Sequence, residues 1–179
     1  MAVIQYRKVY HATKVGFWLC ILLLISGCIT SPSMESRQQA ADELASTADW
    51  HGVQLPSTPL PLYAYLPSNI TPADTLTVYI EGDGLAWVNR RRVSDNPTPR
   101  KPLALELALL DKQAAAYLAR PCQYMILPAG CHSSLWTSHR FSADVVLSSS
   151  RAIDDLKQRF KARQIRLIGY SGGGAIAAL

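Results

Sequence analysis

The stretch Ile165–Leu179, IRLIGYSGGGAIAAL, decides the fold. Ile165 to Ile168 (IRLI) reads as a strand. Gly172 to Leu179 reads as the start of a small-residue helix. Between them Gly169-Tyr170-Ser171-Gly172-Gly173 fits the pattern G-x-S-x-G. The pattern alone is common by chance, and a strand before it and a helix after it give it weight. Such a turn is sharp and strained, so that Ser171 projects its hydroxyl above the sheet. Gly169 and Gly173 lack the side chains that would clash where strand and helix are pressed together. Gly174, Ala175, Ala177 and Ala178 keep the following helix small. The glycines of SGGG come without the lysine that a phosphate loop requires.

Outward from this stretch, strands and helices alternate. Glu35 to Asp49 reads as a helix, and Pro56, Pro59 and Pro61 break the pattern after it. Leu62 to Leu66 (LYAYL) and Leu76 to Ile80 (LTVYI) read as strands, the second ended by Glu81-Gly82-Asp83-Gly84. A polar loop spans Asn89 to Lys101. Pro102 to Leu110 reads as a helix, Gln123 to Leu127 (QYMIL) as a third buried strand, and Ala143 to Arg163 as a helix that Ser142 can cap. Strand, helix, strand, helix, strand, helix implies an α/β fold with a mostly parallel sheet and flanking helices. The expected divisions are 1–27, a signal segment; 28–58, a tether and N-terminal helix; and 59–179, an incomplete α/β domain.

The chain has 179 residues, 49% hydrophobic and 17% charged, enough to pack one core. The net charge is +5, but Arg7, Lys8 and Lys14 lie in the first 27 residues, where there are no acids. The remainder carries 15 cations against 13 acids, a balance of +2, which gives no reason to expect a nucleic-acid partner. Those three cations precede Val15–Ile25 (VGFWLCILLLI), an apolar run of 11 residues. A membrane span needs roughly 20, so the run suits a signal-peptide core. It leads into Ile25-Ser26-Gly27-Cys28, which resembles the bacterial lipobox, where cleavage precedes a cysteine that is then acylated. The resemblance implies lipidation at Cys28; ordinary secretion with nearby cleavage and an uncleaved anchor are the alternatives. Ile29 follows the cysteine, and for a Gram-negative host the implied location is the outer membrane, facing the periplasm. In such an oxidising compartment Cys122 and Cys131 are expected to pair. The rival is a metal site from Cys122, Cys131, His132 and His139, whose spacing matches no familiar zinc pattern. Neither a metal nor another cofactor is expected.

Together LTVYIEGDGLAW, PTPRKPLALELAL, ARPCQY, LWTSHRF and LIGYSGGGAIAAL resemble bacterial α/β-hydrolase-fold lipoproteins, and they touch most of residues 60–179. The resemblance implies serine hydrolase chemistry on an ester, thioester or amide, with a small-molecule or lipid-like ester as substrate and the membrane reached through the lipid anchor. It makes Ser171 the nucleophile. It builds the oxyanion hole from the N–H of Gly172 and a second N–H, of Asp83 or Gly84, in the loop after LTVYI. The other reading of EGDG is a plain turn.

The departure from the family lies in the partners of the serine. The family order is Ser, then Asp or Glu, then His. Residues 172–179 hold neither an acid nor a His, and His11, His51, His132 and His139 all precede Ser171. The expectation is therefore an N-terminal fragment, inactive alone on esters and poorly soluble, with acid, base and last strands in the remainder. The alternative is a non-catalytic envelope lipoprotein with a hydrolase-like fold. An upstream His132 or His139 as base would contradict the family order, and a loop position suits both better. Arg90-Arg91-Arg92 reads as a solvated loop or as a contact for anionic substrate or lipid. Trp87, Trp136, Phe141 and Tyr170 read as core or as the wall of an acyl pocket. No role for Arg140 follows from the sequence.

Overall fold

The computed structural model describes residues 32–126, 128 and 130–179. The signal segment, Cys28 and Leu127 lie outside the described residues. Among those described, no helix is long and apolar enough to cross a membrane.

The elements in chain order are α1 (Met34–Ser46), β1 (Trp50–Leu55), β2 (Leu62–Pro67), β3 (Thr75–Ile80), β4 (Trp87–Asn89), β5 (Arg92–Val93), α2 (Leu103–Leu110), β6 (Ala115–Leu118), a 3₁₀ turn (Ser133–Trp136), α3 (Ala143–Arg159), β7 (Gln164–Gly169) and α4 (Gly172–Ala178). Five strands form one sheet in the order β1-β2-β6-β3-β7. β3 lies between β6 and β7 and pairs parallel with both, with β6 from Thr77↔Ala115 to Ile80↔Leu118 and with β7 from Thr75↔Gln164 to Ile80↔Gly169. β2 runs antiparallel to both β1 and β6, so it alone is reversed. The mixed α/β class, mostly parallel sheet and flanking helices match the partial α/β-hydrolase fold expected from the sequence. β4 and β5 form a separate hairpin.

Alternation along the strands divides the core between the two faces of the sheet. Leu76, Val78 and Ile80 of β3 join Leu62, Ala64 and Leu66 of β2 and Ala116 and Leu118 of β6, and pack with Val145, Ala152 and Leu156 of α3 and Ile176 of α4. The residues between them, Tyr65, Tyr79 and Tyr117, face Ala41 and Ala45 of α1 and Ala104, Leu105 and Ala108 of α2. Among the described residues β7 has no neighbour on its outer side, and Ile168 is 37% exposed.

Several expectations need correction. The buried strand expected at 123–127 is instead β6, Ala115–Leu118, and residues 123–126 form turn and bend. Cys122 and Tyr124 have φ of 70° and 58°, in the left-handed region that an extended strand excludes. The segment from Pro121 is instead a turn, closed by a Cys122–Cys131 disulfide. That bond consumes the thiols that the rival metal site needed. β1 was not expected, because His51, Gly52 and Gln54 dilute its pattern at the sheet edge. The helix expected to reach Arg163 ends at Arg159, where Phe160 caps it and Lys161 turns to φ 49°. Ser142 sits at the N-cap with extended backbone but makes no side-chain capping bond there.

The disulfide closes a loop with sequence separation 9. Chain-entropy reasoning gives such a closure roughly 2.5 kcal/mol. Replacing both cysteines by alanine should lower unfolding free energy by about that amount in a urea titration, and an unchanged midpoint would contradict the assignment.

Candidate active site

Ser171 stands between β7 and α4 with φ 51° and ψ −119°, a strained conformation for a residue with a side chain, and it is exposed. Hydrogen bonds hold the turn on both sides. The N–H of Tyr170 donates to Ile80 O at 3.0 Å, that of Gly173 to Tyr170 O at 2.8 Å, and that of Gly174 to Ser171 O at 3.0 Å.

The small residues are required by contact. A Cβ on Gly169 would overlap the carbonyl of Gly173. One on Gly173 would overlap the carbonyls of Ile80 and Glu81, and one on Gly172 the carboxylate of Asp83. A Cβ on Gly82 would come within 3.2 Å of Ser171 Cβ and Tyr170 O. The loop 81–84 therefore lies directly against the turn that carries Ser171. The sequence-derived candidates Gly169, Ser171, Gly172, Gly173, Asp83 and Gly84 come together here, around a cleft of about 250 Å³ lined by residues 81–85 and 99–101 with Tyr170 and Ser171.

Four side chains that the sequence did not single out hold this loop. Asp83 pairs with Arg120 Nη1 at 3.1 Å and with Arg140 Nε at 3.3 Å. Arg120 is almost wholly buried, and desolvation pushes its pKa down against the pull of Asp83. Its Nη2 donates to the Arg140 carbonyl, and both guanidinium groups lie near the Phe141 ring, at 5.5 and 4.9 Å from its centroid. Two cations thus offset the carboxylate that lies beside Gly172. Gln123, fully buried, donates from Nε2 to Gly82 O at 3.0 Å and to Pro97 O at 3.4 Å, and accepts from Arg120 N–H. Gly84 takes φ 64° and fits against both Pro97 O and the Gln123 amide, so a side chain there is excluded twice over.

Glu81 is the fourth. It is 1% exposed, and its carboxylate accepts from Gly82 N–H at 2.9 Å and Ala104 N–H at 3.3 Å. Burial raises its pKa from 4.5 to about 7, against the opposing effect of those two N–H groups and of Tyr117, while Glu106 adds to the rise.

Other candidates fall elsewhere. Arg90, Arg91 and Arg92 are exposed at the β4–β5 turn and do not line the cleft. Trp136 is buried and donates to Ser94 O at 3.2 Å, so it belongs to the core. Trp87 is 49% exposed on the hairpin, and of the four aromatic candidates Tyr170 alone lines the cleft. His132 and His139 bond to the hydroxyls of Ser134 and Ser138, and neither lines the cleft.

The raised pKa of Glu81 has a thermodynamic sign. Between pH 4.5 and 7 the folded chain holds this proton and the unfolded chain releases it. The contribution to stability is therefore fully present below about 4.5 and is lost as pH rises to about 7, a change of about 3 kcal/mol. Glu81→Gln should remove this component from the pH dependence of unfolding free energy. Equal slopes for both proteins across that window would contradict it.

No protein-family model matches the chain, and no curated protein matches it. Among solved structures it is similar to a hormone-sensitive lipase from a metagenome library, at 12% identity and TM-score 0.41, covering 90% of this chain and 48% of that one. It is similar to a brefeldin A esterase, a bacterial homologue of human hormone-sensitive lipase, at 12% and 0.40, covering 86% and 44%. It is also similar to a hyperthermophilic esterase from the archeon Pyrobaculum calidifontis, at 14% and 0.41, covering 88% and 50%. The chain spans about half the length of these structures.

Proposed function

We propose that the chain carries the nucleophile half of an exported, lipid-anchored serine hydrolase acting on an ester, thioester or amide. The observation that carries the reading is Ser171, exposed at φ 51° on a turn that glycine contacts press against loop 81–84. In the proposed mechanism the hydroxyl gives its proton to the base and attacks the substrate carbonyl; the tetrahedral intermediate breaks its C–O, C–S or C–N bond and releases the protonated alcohol, thiol or amine, leaving an acyl-enzyme that water hydrolyses to the carboxylic acid and free serine. The oxygen that becomes negative is held by the N–H of Gly172 and that of Asp83 or Gly84. Two such donors supply roughly 3–4 kcal/mol each, by analogy with single-donor removals.

A serine hydroxyl is a weak nucleophile without a base. Glu81 and Asp83 line the cleft but are engaged with backbone N–H groups and with arginines, and no histidine lines it among the described residues. On this reading the acid and base follow Ser171 in the order Ser, acid, His, in a longer protein. Lipidation at Cys28 places that protein on the envelope membrane, and the bound substrate is a small-molecule or lipid-like ester.

A fluorophosphonate probe on the full protein should form one adduct, at Ser171, that disappears in Ser171→Ala. An unlabelled Ser171 in folded protein would overturn the reading. The anchor is tested separately: Cys28→Ser should abolish palmitate incorporation in cells, and continued incorporation would remove the lipobox reading.

A further inference from the structure

Glu81 is a carboxylate placed where burial opposes its charge. Its backbone sits at the end of β3, where Glu81 N–H donates to Leu118 O at 3.0 Å and the carbonyl faces Gly173. Its side chain turns back toward the start of α2. That helix begins behind Pro102, which offers no side-chain capping bond, so the N–H of Ala104 needs an acceptor from elsewhere. Glu81 Oε2 supplies it, while Oε1 takes the N–H of Gly82. One carboxylate therefore ties the residue packed against Ser171 to a helix on the other side of the loop.

We propose that Glu81 is a positioning residue for the reaction at Ser171: its ionised carboxylate, by accepting from Gly82 and Ala104 together, fixes the loop that offers the second oxyanion donor. The proposal rests on the serine hydrolase reading of this site. A simple helix cap would not need to be built into the loop beside the nucleophile turn, and Asp or Ser at the cap position itself would serve α2 without burying a charge.

Ionisation matters because both carboxylate oxygens are used as acceptors. The neutral acid keeps one full acceptor and gains an O–H that needs an acceptor of its own. The groups facing Glu81 are Glu106 from α2 and Tyr117 from β6, with Tyr124 behind Tyr117 at 3.4 Å between hydroxyls. Glu106 and burial hold the proton on, while Tyr117 and the two N–H groups favour its loss. Because the buried Glu81 holds its proton more tightly than a solvated carboxylate, protonation favours the buried arrangement; it alters the bond to one of the two N–H groups without freeing the loop.

The test follows the Gly82 and Ala104 amide resonances of the folded protein between pH 5.5 and 8.5, with fluorophosphonate labelling of Ser171 in parallel. Both amides should move with one shared midpoint near 7, and Glu81→Gln should abolish that movement. In Glu81→Gln the maximal labelling rate should fall roughly ten- to a hundredfold with little change in probe affinity, because a displaced donor weakens the transition state rather than binding. Glu81→Asp, which keeps the charge on a shorter arm, should recover part of the rate. Independent titration of the two amides, or Glu81→Gln protein labelled at the unaltered rate, would overturn the proposal and leave Ser171 as the nucleophile. Failure of the unaltered protein to label would instead overturn the hydrolase reading and this proposal with it.

Discussion

Everything at this site depends on how closely one strand–turn–helix crossing approaches the end of β3. The contact between Gly173 and the carbonyls of Ile80 and Glu81, and that between Gly169 and Gly173, leave no room for a methyl group. Because β7 pairs with β3 in register from Thr75↔Gln164 to Ile80↔Gly169, both strands end at one level. The turn after β7 and the loop after β3 must then share the same small volume. Steric exclusion is what brings Ser171 and residues 81–84 together, and the left-handed backbone of Ser171 is its cost, on the order of 1–3 kcal/mol.

That cost is borne by a well-packed support. Leu76, Val78 and Ile80 hold β3 against α3 and α4, and the tyrosines of the opposite face hold it against α1 and α2. Tyr65, Tyr117 and Tyr124 meet ring to ring at 5.6 to 6.2 Å, giving that face a rigid aromatic layer. Loop 81–84 is then fastened from three directions: by Gln123 through the Gly82 carbonyl, by Arg120 and Arg140 through Asp83, and by Ala104 through Glu81. Two of these fasteners, Arg120 and Gln123, flank the Cys122–Cys131 closure, so the disulfide-bound turn serves the site as well as the fold.

The sequence made the turn legible because its physics is local. Glycine at 169, 172 and 173 around a serine, between an apolar run and a small-residue run, leaves few other folded outcomes. The strands LYAYL and LTVYI were legible for the same reason, being runs of aromatic and β-branched residues. QYMIL misled because its apolar content resembles a strand while the backbone turns left-handed at Cys122, just before it, and at Tyr124 within it, and left-handed φ at non-glycine residues leaves no compositional trace. The true strand, AAYL, is four residues long and half alanine, too short for its alternation to show. Glu81, Arg120, Gln123 and Arg140 were hidden for another reason. Their partners at the site lie from 20 positions away (Arg120 to Arg140) to 57 (Arg140 to Asp83), apart from the local bonds of Glu81 to Gly82 and Arg120 to Gln123, and such partnerships appear only when the sheet order is known.

The central claim is geometric: a reacting atom on Ser171 sits where backbone N–H groups from two separate segments converge. A crystal structure of the phosphonylated protein tests it directly. The account predicts the phosphoryl oxygen about 3 Å from the N–H of Gly172 and from that of Asp83 or Gly84. A phosphoryl oxygen turned to solvent, with both segments out of hydrogen-bond range, would contradict it.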